Sequence, residues 1–217
     1  MPLPSHVPAS QPRRSAQSHA AILRAAADLA GRVGYAAASI EQIAEEAKVG
    51  KQTIYRWWPN KAALFIEVYR DLAPINLLAK DTGSLGGDLE LLLTQLSRLY
   101  STTPAGNILS GLIAEAQTAG ELADQMRETY VVPRRAIVES IFARAAARGE
   151  IAPLRDPDLV SDLISGAVWF RLLLGKQQLD RKFKSHLIEM IQHGLADMPA
   201  GAAPGLHQRR RKREHRH

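Results

Sequence analysis

The chain contains no cysteine among its 217 residues. A disulfide framework is therefore excluded, and so is a thiolate metal site. That composition fits a reducing compartment. Long apolar runs are missing as well. Nothing approaches the ~18 consecutive apolar residues of a membrane-spanning helix, and the proline-bearing N-terminal segment has no apolar signal core. A cytoplasmic, soluble protein with no membrane partner is the expectation. Enzyme signatures are equally scarce: there is no nucleophile elbow, no HExxH and no dinucleotide fingerprint. The glycine-rich KDTGSLGG at residues 80–87 lacks Walker spacing and a preceding strand, so it reads as a surface loop. His186, Glu189 and His193 share one helix face, but ligands from a single helix leave a metal set incomplete. No metal and no cofactor are expected.

Acidic residues are scarce in particular places. The net charge of +6 is unevenly spread: residues 1–60 hold 7 Lys and Arg against 4 Asp and Glu, and residues 207–217 hold 6 against 1. The middle of the chain, residues 61–206, is slightly acidic, with 15 basic groups against 17 acidic ones. A basic excess confined to the two ends points to a polyanionic partner rather than to a uniformly basic protein. No carboxylate at all lies between Lys51 and Lys61.

That carboxylate-free stretch belongs to the most informative segment of the chain, SIEQIAEEAKVGKQTIYRWWPNK at residues 39–61. Ser39 is a good N-cap, and Gln42 three residues on completes a capping box. Ile40, Ile43, Ala44 and Ala47 then recur at helical spacing. Gly50 marks a tight joint, with Val49 plugging the gap between two helices, as in a helix-turn-helix. The second helix is expected over residues 51–58. With Ile54 and Trp58 facing inward, Gln52 and Arg56 point outward, flanked by Thr53 and Tyr55, and Lys51 opens the helix. Amide, guanidinium, hydroxyl and phenol groups on one face are suited to base edges and phosphates in a major groove. Asn60 can cap a further helix starting at Lys61, where a helix N-terminus and a lysine together form a phosphate site.

The ordered set Ile43-Ala44, Ala47, Val49, Lys51, Thr53, Ile54-Tyr55 and Lys61-Ala62-Ala63-Leu64, following a first helix that ends in Gly34-Tyr35, resembles the DNA-binding domain of the TetR family of transcriptional regulators. The similarity spans about residues 15–69. Two positions depart from the family pattern: Gln52 stands where glycine or alanine is common, and Trp57 where histidine or tyrosine is common. The candidate DNA contacts are Ser39, Lys51, Gln52, Thr53, Tyr55, Arg56, Trp57 and Lys61. The resemblance implies a double-stranded DNA operator, a small-molecule effector, and a homodimer built through the two C-terminal helices.

Periodicity outlines the rest. Residues 1–17, with four prolines, read as a disordered arm whose Arg13 and Arg14 could enter a minor groove. Helices are expected over about residues 18–33, 61–73, 88–101, 107–118, 121–148 (kinked at Pro133), 157–174 and 181–197. The helix at 157–174 is apolar around most of its girth, and two such adjacent C-terminal helices need burial on two sides. Residues 199–217, ending in QRRRKREHRH, read as a disordered basic tail. The expected fold is all-α. A basic arm (1–14) and a helix-turn-helix DNA-binding domain of three helices (15–61) precede a larger helical ligand-binding and dimerisation domain (62–198). The family implies an effector pocket among the middle helices. Met126, Tyr130, Phe142, Trp169 and Phe170 are the candidates to line it, and little charge on the inner faces points to a mostly apolar effector. The function so read is a ligand-responsive, homodimeric repressor. The alternatives are an all-α enzyme or carrier with an incidental helix-turn-helix, and a ligand-independent architectural DNA binder.

Overall fold

The computed structural model describes residues 11–73, 80–175 and 179–196, so the basic tail and residues 1–10 lie outside the described residues. It is all-helical there. α1 (Gln11–Ala37) carries a non-helical break at Gly34, where the backbone takes φ 80°. α2 (Ile40–Glu46), α3 (Lys51–Tyr55) and α4 (Lys61–Leu72) follow. Then come α5 (Leu85–Thr102), α6 (Ala105–Ala116), α7 (Gly120–Met126), α8 (Val132–Ala147), α9 (Pro157–Phe170) and α10 (Arg181–Ala196).

Several elements differ from expectation, and three of the differences have a plain local reason. α1 begins at Gln11, so residues 11–17, read as part of an arm, are helical. Pro12 does not oppose this, because a first-turn N–H needs no intrahelical acceptor. α5 begins at Leu85 rather than Asp88. Ser84 caps it by accepting from the Gly87 N–H at 3.1 Å, so the glycine-rich segment is partly a helix start and not wholly a loop. The expected kink at Pro133 is absorbed by a π-helical turn, Arg127–Val131, between α7 and α8. Proline has no N–H to give to the preceding turn, and a wider turn accommodates its ring.

Two apolar clusters form the interior. The first joins α1 to α4 with α6 and α7, from Ile22 through Ile43, Ile54 and Phe65 to Leu109 and Tyr130. The second joins α5, α8, α9 and α10, through Leu89, Leu92, Ile141, Phe142, Val168 and Ile188. Tyr100 and Trp169 pack against both. The DNA-binding segment therefore does not hang from a linker; its core continues into α6. The seam is tight at Gly111 of α6, where an added Cβ would lie 2.3 Å from the Tyr35 ring. The Tyr35 hydroxyl donates to Glu115 Oε2 at 2.6 Å across the same seam. Burial, then that bond, pushes the Tyr35 phenol well above its usual range.

At the far end, Asp88 is buried and accepts from both the Thr82 N–H and hydroxyl at 2.7 Å and from Arg144 at 3.2 Å. Burial raises its carboxyl, but these bonds outweigh burial and hold it below the ordinary aspartate range.

Candidate nucleic-acid interface

The helix-turn-helix is built by caps at three points. Ser39 Oγ accepts from the Gln42 N–H at 3.2 Å, and Gln42 Oε1 accepts from the Ser39 N–H at 3.0 Å, completing the capping box. α2 ends in a Schellman motif: the Val49 N–H donates to Ala44 O at 2.9 Å and the Lys48 N–H to Glu45 O at 3.1 Å. The left-handed residue of that motif is Lys48, at φ 55°, while Gly50 sits at an ordinary φ of −75° as the N-cap of α3, at the joint expected for it. The joint thus uses the carbonyl-closing geometry that glycine usually supplies, with a lysine in its place. At the third point Asn60 Oδ1 accepts from the Ala63 N–H at 2.8 Å and starts α4.

α3 is shorter than expected. Its regular part stops at Tyr55, and the chain closes through a Trp57 N–H bond to Ile54 O at 2.9 Å. Pro59 explains this, since the residue before a proline is biased away from the helical region. The facial arrangement survives the shortening. Ile54 and Trp58 are buried, whereas Lys51, Gln52, Tyr55 and Arg56 are exposed and Thr53 is half-buried. The inner edge is locked by Trp58 Nε1, which donates to Glu67 Oε2 of α4 at 2.8 Å. His19 of α1 lies 3.1 Å from Glu67 Oε1 and stacks on Trp57 and Trp58 with ring centroids 4.4 and 4.8 Å away. α1, α3 and α4 therefore meet at one polar–aromatic knot beneath the outer face.

Eight candidate contacts were expected, and the structure separates them. Gln52, Tyr55 and Arg56 present open polar ends, with the Arg56 guanidinium 5.8 Å above the Trp57 ring. Lys51 is exposed and paired with Glu41 at 2.9 Å, a contact that lowers the Glu41 carboxyl and raises the Lys51 amine. In water such a pair is weak, and a phosphate can displace the carboxylate. Thr53 and Trp57 are half-buried at the rim. The Ser39 hydroxyl is engaged on both sides, because besides accepting from Gln42 it donates to Gln42 Oε1 at 3.0 Å.

Lys61 departs furthest from expectation. Its ammonium turns back to α1, 3.1, 3.4 and 3.3 Å from the carbonyl oxygens of Tyr35, Ala36 and Ala38, and lies 4.3 Å from the centroid of the Tyr35 ring. α1 has no basic residue in its own last turn, so Lys61 supplies the cation that its negative end attracts.

The family models agree with this geometry. Residues 22–68 match the model described as bacterial regulatory proteins, tetR family, and residues 79–191 match a Tetracyclin repressor-like C-terminal domain. The chain belongs to the TetR family of transcriptional regulators. It is a DNA-binding helix-turn-helix regulator and not an enzyme. Among its relatives is the HTH-type transcriptional regulator YdeS of Bacillus subtilis, 34% identical over 175 residues that cover 81% of this chain and 88% of YdeS. Another is the DNA-binding transcriptional repressor TetR of Mycobacteroides abscessus, 32% identical over 79% of this chain and 90% of that one. The solved structure of the TetR family transcription regulator SCO0332 superposes with a TM-score of 0.68 at 33% identity, covering 84% of this chain and all of that one.

In the second TetR domain the five expected pocket residues do not all converge, although Tyr130 and Trp169 meet, with ring centroids 5.4 Å apart. Met126 and Tyr130 are buried in the first cluster, and Phe142 is buried in the second. Trp169 lies between the clusters, and Phe170 is 65% exposed, so Phe170 lines no interior. The helix α9 is apolar on several faces, and packing selected the Ile164–Val168 face, leaving Leu159, Leu163 and Phe170 outside. The structure also corrects the reading that the inner faces carry little charge. Arg134 is only 8% exposed, with its guanidinium 5.3 Å from the Tyr130 ring centroid. A signal was available: Arg134 continues the inward stripe Tyr130, Ile137, Ile141 at helical spacing. Among the described residues no His, Cys, Asp and Glu cluster could hold a metal, and no helix is long and apolar enough to cross a membrane.

Proposed function

We propose that this TetR-family protein is a cytoplasmic homodimeric repressor that grips a near-palindromic operator with α3 of each subunit and is released by a small molecule. The observation that carries the reading is the two-sidedness of α3: Ile54 and Trp58 are locked inward while Gln52, Tyr55 and Arg56 stand outward with no carboxylate among them. Gln52 and Arg56 read base edges, and Lys51, Thr53, Tyr55 and Trp57 serve the phosphate side. Ser39 and Lys61 hold the scaffold in place of contacting phosphate through their side chains; the α4 N-terminus still offers backbone N–H groups there. The repressor named TetR from Mycobacteroides abscessus supports the sign of regulation.

Dimerisation is supported by the outer face of the last two helices. Leu159, Leu163, Phe170 and Leu174 form one exposed stripe, and Met190 of α10 is 72% exposed. Between α9 and α10 lies an apolar recess of about 410 Å³ that includes Leu159, Leu163, Leu187 and Met190. A contiguous apolar face of this kind marks an interface, and a two-fold one places two recognition helices about 34–36 Å apart along DNA. The test is a band shift on the DNA upstream of the gene, with sedimentation at micromolar concentration. A dimer that Leu163→Asp converts to a monomer with weakened operator binding is the expected result. A wild-type monomer with and without DNA would sink the proposal. Operator binding indifferent to every small molecule would favour the ligand-independent architectural reading.

A further inference from the structure

A cavity of about 300 Å³ opens between the π-turn, α8 and α9, walled by Tyr130, Arg134, Ser161, Ser165 and Trp169, with Arg135 and Asp162 at its edge. Arg134 has no ion pair among the described residues, and its Nη1 has no hydrogen-bond partner. The groups that face it are neutral phenols, those of Tyr130, Tyr100 and Tyr69, and the Tyr69 hydroxyl is hydrogen-bonded to it. The nearby Asp162 is already taken, since both its oxygens accept from Arg135, at 2.9 and 3.0 Å. A cation more than nine-tenths buried, held by neutral phenols and the Tyr130 ring with no carboxylate beside it among the described residues, keeps Nη1 free to donate to an anion.

The same side chain touches the route to DNA. Trp169 Nε1 donates to the Tyr130 hydroxyl at 2.9 Å. The Tyr130 and Tyr100 hydroxyls are 3.4 Å apart, and the Tyr100 and Tyr69 hydroxyls 3.3 Å apart. Tyr69 sits on α4, whose start is pinned to α1 and α3. Tyr130 and Arg134 also wall a small void of about 30 Å³ with Tyr69, Arg70 and Ala73, at the end of α4.

We infer that this cavity is the effector site and that the effector is a small carboxylate with an apolar body: the carboxylate pairs with Arg134 and the body lies along Tyr130 and Trp169. The inference rests on the regulator reading for the word effector, but the anion site stands or falls separately. A guanidinium matches a carboxylate in a two-point fork. Pairing draws Arg134 from the phenol chain, and the chain hands the change to α4 through Tyr69. The ligand shifts the equilibrium only by its preference for that arrangement.

The experiment is calorimetric titration of the full chain with 4-phenylbutyrate and with its uncharged counterpart 4-phenylbutyramide at neutral pH. About a dozen non-hydrogen atoms deliver millimolar binding or better. The expected result is a carboxylate preference of at least about tenfold, abolished in Arg134→Met and partly kept in Arg134→Lys. Arg134→Met should unfold at or above the wild-type temperature, which separates lost binding from lost folding, and Arg134→Gln serves as a second uncharged variant. Equal binding of carboxylate and amide, or no binding of either by wild type at millimolar concentration, overturns the anion site. Selective carboxylate binding that leaves operator affinity unchanged upholds the site and refutes ligand-controlled repression instead.

Discussion

Replacing Lys61 tests whether a lysine beside a recognition helix acts on DNA or on its own scaffold. Its ammonium is half-buried and shared among three carbonyls at 3.1–3.4 Å, with the Tyr35 ring 4.3 Å away. Hydrogen bonds to a charged group contribute ~1.5–3 kcal/mol when short and sheltered, and a partly exposed cation over a ring adds ~0.5–1 kcal/mol. These bonds are long and partly wet, so Lys61→Ala should destabilise the fold by about 1–2 kcal/mol in all. For a chain of this size each kcal/mol lowers the unfolding midpoint by roughly 2–4 °C. Lys61→Met, which keeps most of the apolar stem, should lose nearly as much, because the charge and not the stem closes α1. The complementary measurement is operator affinity against salt. A lost phosphate contact flattens the logarithmic salt slope by ~0.9 for each lysine removed, whereas loss of a scaffold clamp leaves the slope as it was. Unchanged thermal stability together with a flattened slope would falsify the scaffold assignment and restore Lys61 as a phosphate ligand.

Arg56→Ala should cost about 1–3 kcal/mol of operator binding and relax preference at one position per half-site, as read by binding-site selection; a uniform loss over all sequences would move Arg56 to the phosphate class. Gly111→Ala should destabilise by about 1–3 kcal/mol through overpacking, because its Cβ would meet the Tyr35 ring at 2.3 Å. Combined with Tyr35→Ala its cost should be markedly less than additive in urea unfolding, and full additivity would refute the contact. Asp88→Asn should cost about 3 kcal/mol at neutral pH by leaving Arg144 without its buried partner. The native carboxyl is held low, so its contribution is fully present above the unfolded value of ~3.9 and fades as pH falls through the folded value. The gap between wild type and Asp88→Asn in acid unfolding should therefore close in that window, and a gap that persists into strong acid would show that the charge is not its origin.

What the sequence determined by itself was everything local. Caps depend on residues three apart, and so Ser39–Gln42 and Asn60 could be read directly and recur as hydrogen bonds. The two faces of α3 follow from helical spacing, and Ile54 and Trp58 point inward although α3 ends at Tyr55. The TetR-like pattern is legible for the same reason, being a run of local contacts in chain order. Tertiary structure decided what spacing leaves degenerate. α9 is apolar on several faces, and only its neighbours determine that Ile164 and Val168 go inside while Leu163 and Phe170 stay out. The aim of a long flexible side chain is likewise set by distant partners. Lys61 meets carbonyls more than twenty residues earlier in the chain, and Arg134 meets the phenols of Tyr69, Tyr100 and Tyr130, drawn from three different elements. Four bonds of free rotation let a lysine or arginine choose among such partners, and that choice depends on which surfaces the fold has already brought together.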